Sequence, residues 1–419
     1  MTTGRDLVVV GLGYAGMPLA RQACRAGLRT AGVDVDDQVV AGLTARRSHV
    51  PGVSGADVAA MAGAGFTAGT DPAAVATADT VVICVPTGLA ADRGPDLGPL
   101  RSASTSVGRH LRPGTLVVLE STSFPGTTEE VVLPILERHS GLRAGEDFYL
   151  AFAPERIDPG NERFGLVDTP KVVSGHTPLC AKYCATFYAR LLDTVVVARG
   201  TREAELAKLL ENTYRFVNIA LVNEFARYCD AVGIDVWDVL HCAGTKPFGF
   251  ERFEPGPGVG GHCIPVDPLY LTGRARAQGF TFSLVEAARV VNEGMPAHVV
   301  RRSRSLLGER GLAGASVLLL GVTYKADVPD TRESPAEPIA AGLVELGADV
   351  AYHDPHVPRL RVGGTDLRRE TDLASAAARA DLTILLQDHR DYDPILLGTA
   401  PRLLLDTRGK ISGSRVQYL

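Results

Sequence analysis

The feature that most constrains the fold is a glycine-rich turn near the start of the chain. Residues 6–10 (Asp-Leu-Val-Val-Val) form a short apolar run, and Gly11-Leu-Gly-Tyr-Ala-Gly16 follows at once. An apolar helical pattern then continues to Ala26. In this order, the first glycine makes a tight turn, the second lets the main chain approach a pyrophosphate, and the third lets helix and strand pack closely. The pattern predicts a dinucleotide-binding βαβ unit.

A second predicted strand, Thr30 to Val33, ends at Asp34. A carboxylate about twenty residues beyond the glycines typically binds the ribose hydroxyls of NAD. Because Asp36 and Asp37 follow and no basic residue is near to bind a 2′-phosphate, the sequence favours NAD over NADP.

Further strands are predicted along the chain, and polar loops follow them. The run from Thr115 to Leu119 ends in Glu120-Ser-Thr-Ser, and the run from Phe148 to Phe152 ends in Ala153-Pro-Glu-Arg156. Ligands bind at the carboxyl ends of strands in open α/β sheets. We therefore expect ligand contacts at these loops. Glu155 is a candidate base, with a solvated loop carboxylate as the alternative.

The helical pattern from Thr201 to Asp230 is long enough to span domains or build a subunit interface. After it, Ser316 to Leu320 restarts the α/β rhythm, and its loop lacks a second GxGxxG. The predicted fold is therefore α/β, with two Rossmann-like doubly wound domains joined by a long central helix and a helical middle domain. The expected domains are residues 1–198, 199–300 and 301–419.

Composition narrows the functional classes. The chain of 419 residues carries a net charge of −5, which argues against a nucleic-acid or anionic-membrane role. No signal peptide precedes the first strand and no apolar run approaches the length of a membrane span, so we expect a cytoplasmic protein. The seven cysteines form no CxxC pair, and the His–Cys and His-Asp-Pro-His spacings match no recognised ligand set. We expect reduced thiols and no metal site.

Residues 254–268 form a loop rich in glycine and proline with one thiol, Cys263, and with Asp267 four residues later. Glycines there let a ligand approach the main chain, and a carboxylate beside a thiol can handle protons. The alternative is a surface turn with a buried, inert cysteine. On the preceding helix, Lys208 and Asn212 share a face that could stabilise an oxyanion, although such a stripe is often only the solvated side.

These motifs together resemble the UDP-glucose/GDP-mannose dehydrogenase family over essentially the whole chain. The resemblance rests on six motifs in the family's order, which are Gly11-Leu-Gly-Tyr-Ala-Gly16, Glu120-Ser-Thr-Ser, Ala153-Pro-Glu-Arg, Glu205…Lys208…Asn212, Gly260-Gly-His-Cys263-Ile-Pro-Val-Asp267 and Gly321-Val-Thr-Tyr-Lys325…Asp330-Thr-Arg332. It implies an NAD-binding domain, a helical middle that forms a homodimer, and a C-terminal domain that binds the sugar nucleotide. It also implies oxidation of the sugar C6 alcohol to the acid in two NAD-dependent steps.

The resemblance assigns roles to individual residues. Asp267 and an ordered water take the hydroxyl proton, Lys208 and Asn212 stabilise the oxyanion, and Cys263 forms a thiohemiacetal and then a thioester. Glu155, with Thr122, activates the hydrolytic water. The implied catalytic residues are Cys263, Lys208, Asn212, Asp267, Glu155 and Thr122. The implied cofactor-binding residues are Gly11, Gly13, Tyr14, Ala15, Gly16, Asp34, Pro86, Thr87, Thr122 and Arg332. The implied substrate-binding residues are Glu155, Arg156, Lys208, Asn212, Gly258, Gly260, Gly261, Tyr324, Lys325 and Arg408.

Two departures from the UDP-glucose branch bear on the substrate. Pro159 and Val266 stand where that branch has a glutamate and a lysine. The chain thus looks more like the branch acting on UDP-N-acetylhexosamines, which favours UDP-N-acetylglucosamine, then UDP-N-acetylmannosamine, with UDP-glucose left open. Arg252 is a candidate for the arginine that the family donates across its dimer.

Two other functional classes share part of this pattern. A two-electron 3-hydroxyacid or sugar-acid dehydrogenase shares a Rossmann domain followed by helices, but it leaves Cys263 and the second α/β domain unexplained. A regulatory protein on a retired scaffold predicts loss of the thiol, the lysine or the helix asparagine, and all three are present.

Overall fold

The computed structural model describes residues 4–89, 94–158, 163–261 and 264–419. The chain divides into two compact units. The N-terminal unit contains residues 1–211 with 269–277, and the C-terminal unit contains residues 212–268 with 278–419. The division into domains at 1–198, 199–300 and 301–419 stays a prediction.

The N-terminal unit is built on a sheet of eight strands with helices between them. Its strands, in chain order, are β1 (Arg5–Val10), β2 (Thr30–Val33), β3 (Thr67–Gly69), β4 (Ala78–Ile83), β5 (Gly88–Leu89), β6 (Pro95–Asp96), β7 (Leu116–Leu119), β8 (Tyr149–Phe152), β9 (Lys171–Gly175) and β10 (Val195–Val197). Its helices are α1 (Gly16–Arg25), α2 (Asp37–Thr44), α3 (Gly55–Gly63), α4 (Gly98–His110), α5 (Leu133–Ser140) and α6 (Pro178–Tyr188).

The order of the large sheet is β10-β9-β8-β7-β4-β1-β2-β3, and β5 and β6 form a separate antiparallel pair. The sheet is parallel except between β8 and β9. Leu7 and Val9 enter one apolar cluster, whereas Val8 and Val10 enter another. Side chains alternate along a strand, so an apolar run without alternation is buried on both faces, as expected for a parallel sheet covered by helices.

A single helix of 32 residues, α7 (Thr201–Val232), contributes to both units. It is followed by α8 (Val236–Gly244), α9 (Asp267–Ala277), α10 (Ser283–Glu293) and α11 (Met295–Leu306). Helices α10 and α11 meet at Gly294. Pro296 lies in the first turn of α11, where its missing N–H costs no helical hydrogen bond.

The α/β part of the C-terminal unit is a second doubly wound sheet, of order β15-β12-β11-β16-β17-β18, and all of its pairings are parallel. Its strands are β11 (Ser316–Leu320), β12 (Asp349–His353), β13 (Arg361–Val362), β14 (Thr365–Asp366), β15 (Arg368–Arg369), β16 (Leu382–Leu385), β17 (Leu404–Asp406) and β18 (Val416–Tyr418), and its helices are α12 (Ala336–Glu345), α13 (Leu373–Arg379) and α14 (Pro394–Thr399). The predicted fold class, two doubly wound α/β regions with a helical middle, is confirmed. No helix in the described parts of the chain is long and apolar enough to cross a membrane.

Candidate active site

The glycine turn after β1 has the close contacts that its sequence predicts for the first and third glycines. Gly11 has a φ of +95°, and a Cβ there would lie 2.5 Å from the carbonyl oxygen of Cys84. A Cβ on Gly16 would lie 1.9 Å from the carbonyl oxygen of Gly11, so only glycine lets α1 pack this closely. A Cβ on Gly13 would meet no atom within 4 Å. The space beside Gly13 and the uncapped start of α1 fit a pyrophosphate.

Asp34 follows β2 and supports the same turn. Its Oδ2 accepts a hydrogen bond from the Leu12 main-chain N–H at 2.7 Å, and its Oδ1 accepts one from Asp36 at 3.0 Å. The carboxylate is partly exposed, so it can also meet the hydroxyls of a ribose. Tyr14, beside the turn, is 38% exposed, and Ala15 is the residue that precedes α1.

Two strand-end loops of the N-terminal unit are tied together. The buried Thr87 hydroxyl donates to the carbonyl oxygen of Thr122 at 2.7 Å. The Tyr270 hydroxyl donates to the carbonyl oxygen of Thr87 at 2.6 Å and lies 2.9 Å from that of Gly88. Pro86 is exposed. The loops after β4 and β7 therefore lie side by side, as expected for neighbouring parallel strands.

The loop after β8 holds Glu155 in a defined orientation. Its Oε1 accepts hydrogen bonds from the main-chain N–H groups of Arg156 at 2.8 Å and Ile157 at 2.6 Å. Its Oε2 lies 3.6 Å from the Lys171 ammonium, and this oxygen is buried with no hydrogen-bond partner among the described residues. The Arg156 guanidinium pairs with Glu211 at 2.8 Å. Glu155 is thus a fixed carboxylate with one uncommitted oxygen, rather than a mobile solvated group.

Helix α7 carries two of the motif residues of this unit in buried positions. Glu205 is fully buried and accepts from the N–H groups of Gly126 and Thr128 and from the Thr128 hydroxyl, at 2.5 to 2.8 Å. Glu205 therefore holds the loop after β7 in place. Lys208 is 9% exposed. The interpretation of this helix face as merely solvated is wrong for these two residues.

In the C-terminal unit, the structure brings two predicted catalytic residues into contact. The Asn212 amide on α7 donates to Asp267 Oδ2 at 2.5 Å, and Asp267 is 1% exposed at the start of α9. A buried carboxylate beside an amide can accept a proton while the amide donates to a nearby oxygen. Cys263, with His262, lies outside the described residues.

The glycines before Cys263 are required by packing within the C-terminal unit. A Cβ on Gly260 would lie 2.7 Å from the carbonyl oxygen of Glu333, and one on Gly261 would lie 2.7 Å from the Tyr324 ring. The Gly261 N–H donates to the carbonyl oxygen of Arg332 at 3.0 Å. Gly258 has a φ of +145°. The glycine loop thus lies directly against the loop that follows β11.

Other members of the predicted nucleotide-binding set lie on that loop and near the end of β17. The Lys325 carbonyl accepts from Thr323 at 2.8 Å, and the Arg332 guanidinium pairs with Asp330 at 2.6 Å. Arg408 donates to the carbonyl oxygen of Leu386 at 2.9 Å, and burial lowers the pKa of its guanidinium. The Arg332 and Arg408 side chains are thus held by protein contacts, and Lys325 lies on the same loop as Arg332. Anions bind at the carboxyl ends of parallel strands in such sheets.

One group of histidines and carboxylates in this unit has the composition of a metal site. Asp327, His356 and His389 have potential ligand atoms within 4.8 Å of one another. However, His389 Nδ1 accepts from the Asp327 main-chain N–H at 2.9 Å, and its Nε2 lies 3.1 Å from Asp354 Oδ2. Arg390 pairs with Asp327 at 2.6 Å. Hydrogen bonds within the protein occupy both nitrogens of His389, so the group acts as a clamp on the loop after β11.

The sequence analysis missed several buried polar groups beside the predicted residues. Lys171 and Glu120 form an ion pair of 2.7 Å, and both are almost fully buried. Asn223 accepts from the Gly256 N–H at 2.9 Å and donates to Asn292 at the same distance. The sequence did contain a signal for these groups: a lysine at the start of an apolar strand, and an asparagine among apolar helix residues. Polar groups in such positions are expected to be buried, and buried polar groups need partners.

The comparisons with known proteins cover the same regions. Three domain models of the UDP-glucose/GDP-mannose dehydrogenase family match the chain. The NAD binding domain matches residues 5–192, the central domain matches residues 202–294, and the UDP binding domain matches residues 318–412. The second unit's missing GxGxxG agrees with a UDP binding domain rather than a second dinucleotide domain.

Individual relatives agree with this result. The chain is 39% identical over 355 residues to the UDP-N-acetyl-D-glucosamine 6-dehydrogenase of Pseudomonas aeruginosa, covering 84% of this chain and 83% of the relative. It is 34% identical over 402 residues to the UDP-N-acetyl-D-mannosamine dehydrogenase of Yersinia pestis, covering 92% and 94%. The solved UDP-D-ManNAc dehydrogenase of Pyrococcus horikoshii superposes with a TM-score of 0.89 at 30% identity, covering 99% of this chain and 98% of that one. The protein is an oxidoreductase with an NAD-binding domain, and it belongs to the UDP-glucose/GDP-mannose dehydrogenase family.

Proposed function

We propose that the protein oxidises the C6 alcohol of a UDP-N-acetylhexosamine to the uronic acid in two NAD-dependent steps, with UDP-N-acetylglucosamine as the first choice of substrate. The observation that carries this proposal is the hydrogen bond between Asn212 and the buried Asp267. It pairs a proton acceptor, Asp267, with an oxyanion donor, Asn212. Asp267 lies four residues after Cys263 in the sequence.

NAD, when bound against the Gly11–Gly16 turn and Asp34, accepts a hydride in each of the two oxidations. In the first, Asp267 with an ordered water takes the proton of the C6 hydroxyl, while Lys208 and Asn212 stabilise the developing oxyanion. The product is the C6 aldehyde.

The Cys263 thiolate then adds to the aldehyde carbon and gives a thiohemiacetal. Loss of the second hydride converts this adduct to a thioester. Glu155, assisted by Thr122, takes a proton from a water that adds to the thioester carbon. The carbon–sulfur bond breaks, the Cys263 thiolate leaves, and the uronic acid is released. From thiolate addition until hydrolysis, the C6 carbon stays covalently bound to Cys263.

The remaining predicted contacts concern the nucleotide. Arg332 is proposed to reach the cofactor, and Tyr324, Lys325 and Arg408 to bind the UDP moiety. Arg156 and the glycines at 258, 260 and 261 complete the proposed substrate contacts. Main-chain N–H groups and fixed cations are suited to diphosphate recognition.

The N-acetylhexosamine preference is supported by similarity to the P. aeruginosa relative, whose name states that substrate. It is also supported by Val266, which is 4% exposed and packs as an apolar residue where the UDP-glucose branch has a lysine. UDP-N-acetylmannosamine is the second candidate, because the Y. pestis relative and the P. horikoshii structure are named for it. UDP-glucose is the third.

We also propose a homodimer formed through residues 214–228 of α7. Tyr214, Leu221, Phe225 and Tyr228 recur at helical spacing, and each is between 48% and 61% exposed. A contiguous apolar stripe of this kind marks a protein interface. A Phe225→Glu variant should elute as a monomer in size-exclusion chromatography with light scattering, and a dimer at unchanged affinity would contradict the proposed interface.

The proposed location is the cytoplasm. Cysteine residues 24, 84, 180, 184, 229 and 242 all have free thiols, which is typical of a reducing compartment. The reaction also needs Cys263 as a thiolate rather than as a disulfide. Fractionation of the native host should recover the protein with cytoplasmic markers.

The decisive experiment counts NADH formed per sugar nucleotide consumed, with NAD in excess and UDP-N-acetylglucosamine limiting. Cys263→Ala tests the thiol, and Cys242→Ala is the matched control, because Cys242 is an exposed free cysteine on α8. We expect two NADH per sugar for the wild type and the control, and none or a slow single oxidation for Cys263→Ala.

Other outcomes separate the alternatives. One NADH per sugar, unchanged in Cys263→Ala, would contradict the thioester route and indicate a two-electron alcohol dehydrogenase. Two NADH only with UDP-N-acetylmannosamine or UDP-glucose would keep the mechanism and correct the substrate.

A further inference from the structure

A buried charge cluster lies behind Glu155 in the N-terminal unit. Lys171 is the first residue of β9 and is 3% exposed, and its ammonium lies 2.7 Å from Glu120 Oε1 and 3.6 Å from Glu155 Oε2. Glu120 directly follows β7 and is 1% exposed. Two carboxylates from neighbouring strand ends therefore share one ammonium group.

The far side of the cluster is fixed by groups that carry no charge at neutral pH. The Tyr188 hydroxyl, at the end of α6, donates a hydrogen bond to Glu120 Oε1, and the Cys84 thiol lies 3.5 Å from Oε2. The Lys171 ammonium also lies 5.1 Å from the centre of the Tyr188 ring. Burial raises the pKa of Tyr188 and of the thiols of Cys84 and Cys184, so all three remain protonated.

Arg156, the residue that follows Glu155, is paired with other groups. It pairs with Glu211 on α7 and donates to the carbonyl oxygen of Pro170. Among the described residues, the Lys171 ammonium forms an ion-pair contact with Glu155. Burial alone lowers the pKa of Lys171, but Glu120 and then Glu155 outweigh burial and the net pKa is raised, so the side chain is charged.

The two oxygens of Glu155 have different roles in this arrangement. Oε1 is committed to the N–H groups of Arg156 and Ile157. Oε2 lies beside the ammonium, and no group among the described residues forms a hydrogen bond with it. An oxygen in that position can accept a proton from water, while the nearby cation holds the carboxylate in one orientation.

We infer that Lys171 is a positioning residue for Glu155: its ammonium orients Oε2, and Glu120 with Tyr188 fixes the ammonium from behind. The inference rests on the proposed function, in which Glu155 takes a proton from the water that hydrolyses the thioester. Lys171 itself gains or loses no proton in the step.

The test follows the decay of the acyl-enzyme on Cys263. Enzyme, NAD and UDP-N-acetylglucosamine are mixed, samples are quenched at intervals, and intact mass spectrometry reports the acylated fraction. The rise of this fraction gives the rate of acyl-enzyme formation, and its fall gives the rate of hydrolysis. Glu155 is proposed to act only in hydrolysis, so the two rates are compared separately between variants.

Lys171→Met should slow hydrolysis by about tenfold or more and leave acyl-enzyme formation unchanged, because Oε2 loses the cation that orients it. Glu120→Gln weakens the contact that fixes the ammonium and should slow hydrolysis by a smaller factor. Lys171→Arg should restore most of the hydrolysis rate. Lys182→Met, which removes an exposed lysine on α6, is the charge-matched control and should change neither rate.

The outcomes distinguish this inference from the proposed function. If neither the wild type nor Lys171→Met forms an acyl-enzyme, the proposed function fails. If one forms, an unchanged hydrolysis rate in Lys171→Met overturns the role of Lys171, and so does an equal slowing of formation and hydrolysis, because a loosened structure would cause that. Should Lys171→Met fail to fold, Glu120→Gln decides: slower hydrolysis with unchanged formation supports the inference, and unchanged hydrolysis overturns it.

Discussion

The two α/β regions have the same glycine turn after their first strand, but the turn leads into different kinds of loop. Gly11 follows β1 and Gly321 follows β11, both with positive φ, at +95° and +72°. In each region an aspartate after the second strand accepts the N–H one residue beyond that glycine at 2.7 Å: Asp34 from Leu12 and Asp354 from Val322. The turn geometry is thus repeated without the sequence motif.

The two aspartates differ in what remains available to a ligand. Asp34 is partly exposed and has main-chain N–H partners. Asp354 is fully buried, and its oxygens also accept from His356 and Val357 and lie 3.1 Å from His389 Nε2. A carboxylate enclosed in this way stabilises its loop but cannot bind a ribose.

The loops after the first strands differ accordingly. The GxGxxG turn leads directly into α1, whereas residues 321–335 separate β11 from α12. Asp327 and Glu333 in this loop have φ values of +59° and +52°, which cost free energy for residues with a Cβ. His389 and Arg390 hold Asp327 in place. The comparison teaches that one fold can present either an open pyrophosphate turn or a clamped side-chain loop.

The largest expected effect concerns the glycine that both turns require. A Cβ on Gly11 would lie 2.5 Å from the Cys84 carbonyl oxygen, and one on Gly321 would lie 2.4 Å from that of Gln387. Gly11→Ala and Gly321→Ala should each destabilise their own region by about 3 kcal/mol, from backbone overlap and an unfavourable φ. Hydrogen exchange resolves which region loosens. Gly13→Ala, with open space around its Cβ, is the control, and equal destabilisation by it would contradict the geometric reason.

Asp354→Asn should destabilise the C-terminal region by about 2–3 kcal/mol, because hydrogen bonds to a buried charge are lost. Burial raises the pKa of Asp354, but His389 and the main-chain donors outweigh it and the net pKa is lowered. Its contribution is therefore fully present above the usual value of 3.8 and is lost as pH falls through the lower folded pKa. Acid unfolding followed by circular dichroism should show this dependence in the wild type and not in the variant.

Asp34→Asn makes the same substitution at the partly exposed aspartate. There we expect it to weaken NAD binding rather than to lower stability. The amide oxygen can still accept the Leu12 N–H, so we expect little change in unfolding free energy. We expect NAD affinity to fall by about tenfold, since a charged acceptor for ribose is lost. Calorimetric titration with NAD measures the loss. A destabilised protein with unchanged NAD affinity would break the comparison.

The smallest expected effect concerns mild acid. Burial lowers the pKa of His298 and of His353 in the C-terminal unit. Each resists protonation when folded, so its contribution to stability is fully present above the usual 6.5 and falls as pH drops below that value. His298→Gln should flatten part of this slope. Thermal unfolding at successive pH values measures it, and an identical slope in the variant would rule out His298 as a source.

Periodicity and motif order predicted most of the fold. Strands β1, β2 and β11 and helix α7 were expected within one or two residues of their positions, because buried parallel strands are continuous apolar runs bounded by glycine or acid. The antiparallel step between β8 and β9 was not expected. Pairing direction depends on how the chain returns to the sheet, and the residues of β9 do not encode that locally.

The sequence by itself determined which residue types stand at the proposed sites: the glycine turn after β1, the acid at position 34 and the Cys263 loop, because each depends on local backbone geometry or a fixed spacing. Only the tertiary structure decided which polar groups are paired. Glu155 acquires its Lys171 partner, Asp267 its Asn212 partner and Asp354 its enclosure from residues distant in the chain. The physical reason is that ionisation and orientation of a buried group depend on its neighbours in space, and only the packed fold supplies them.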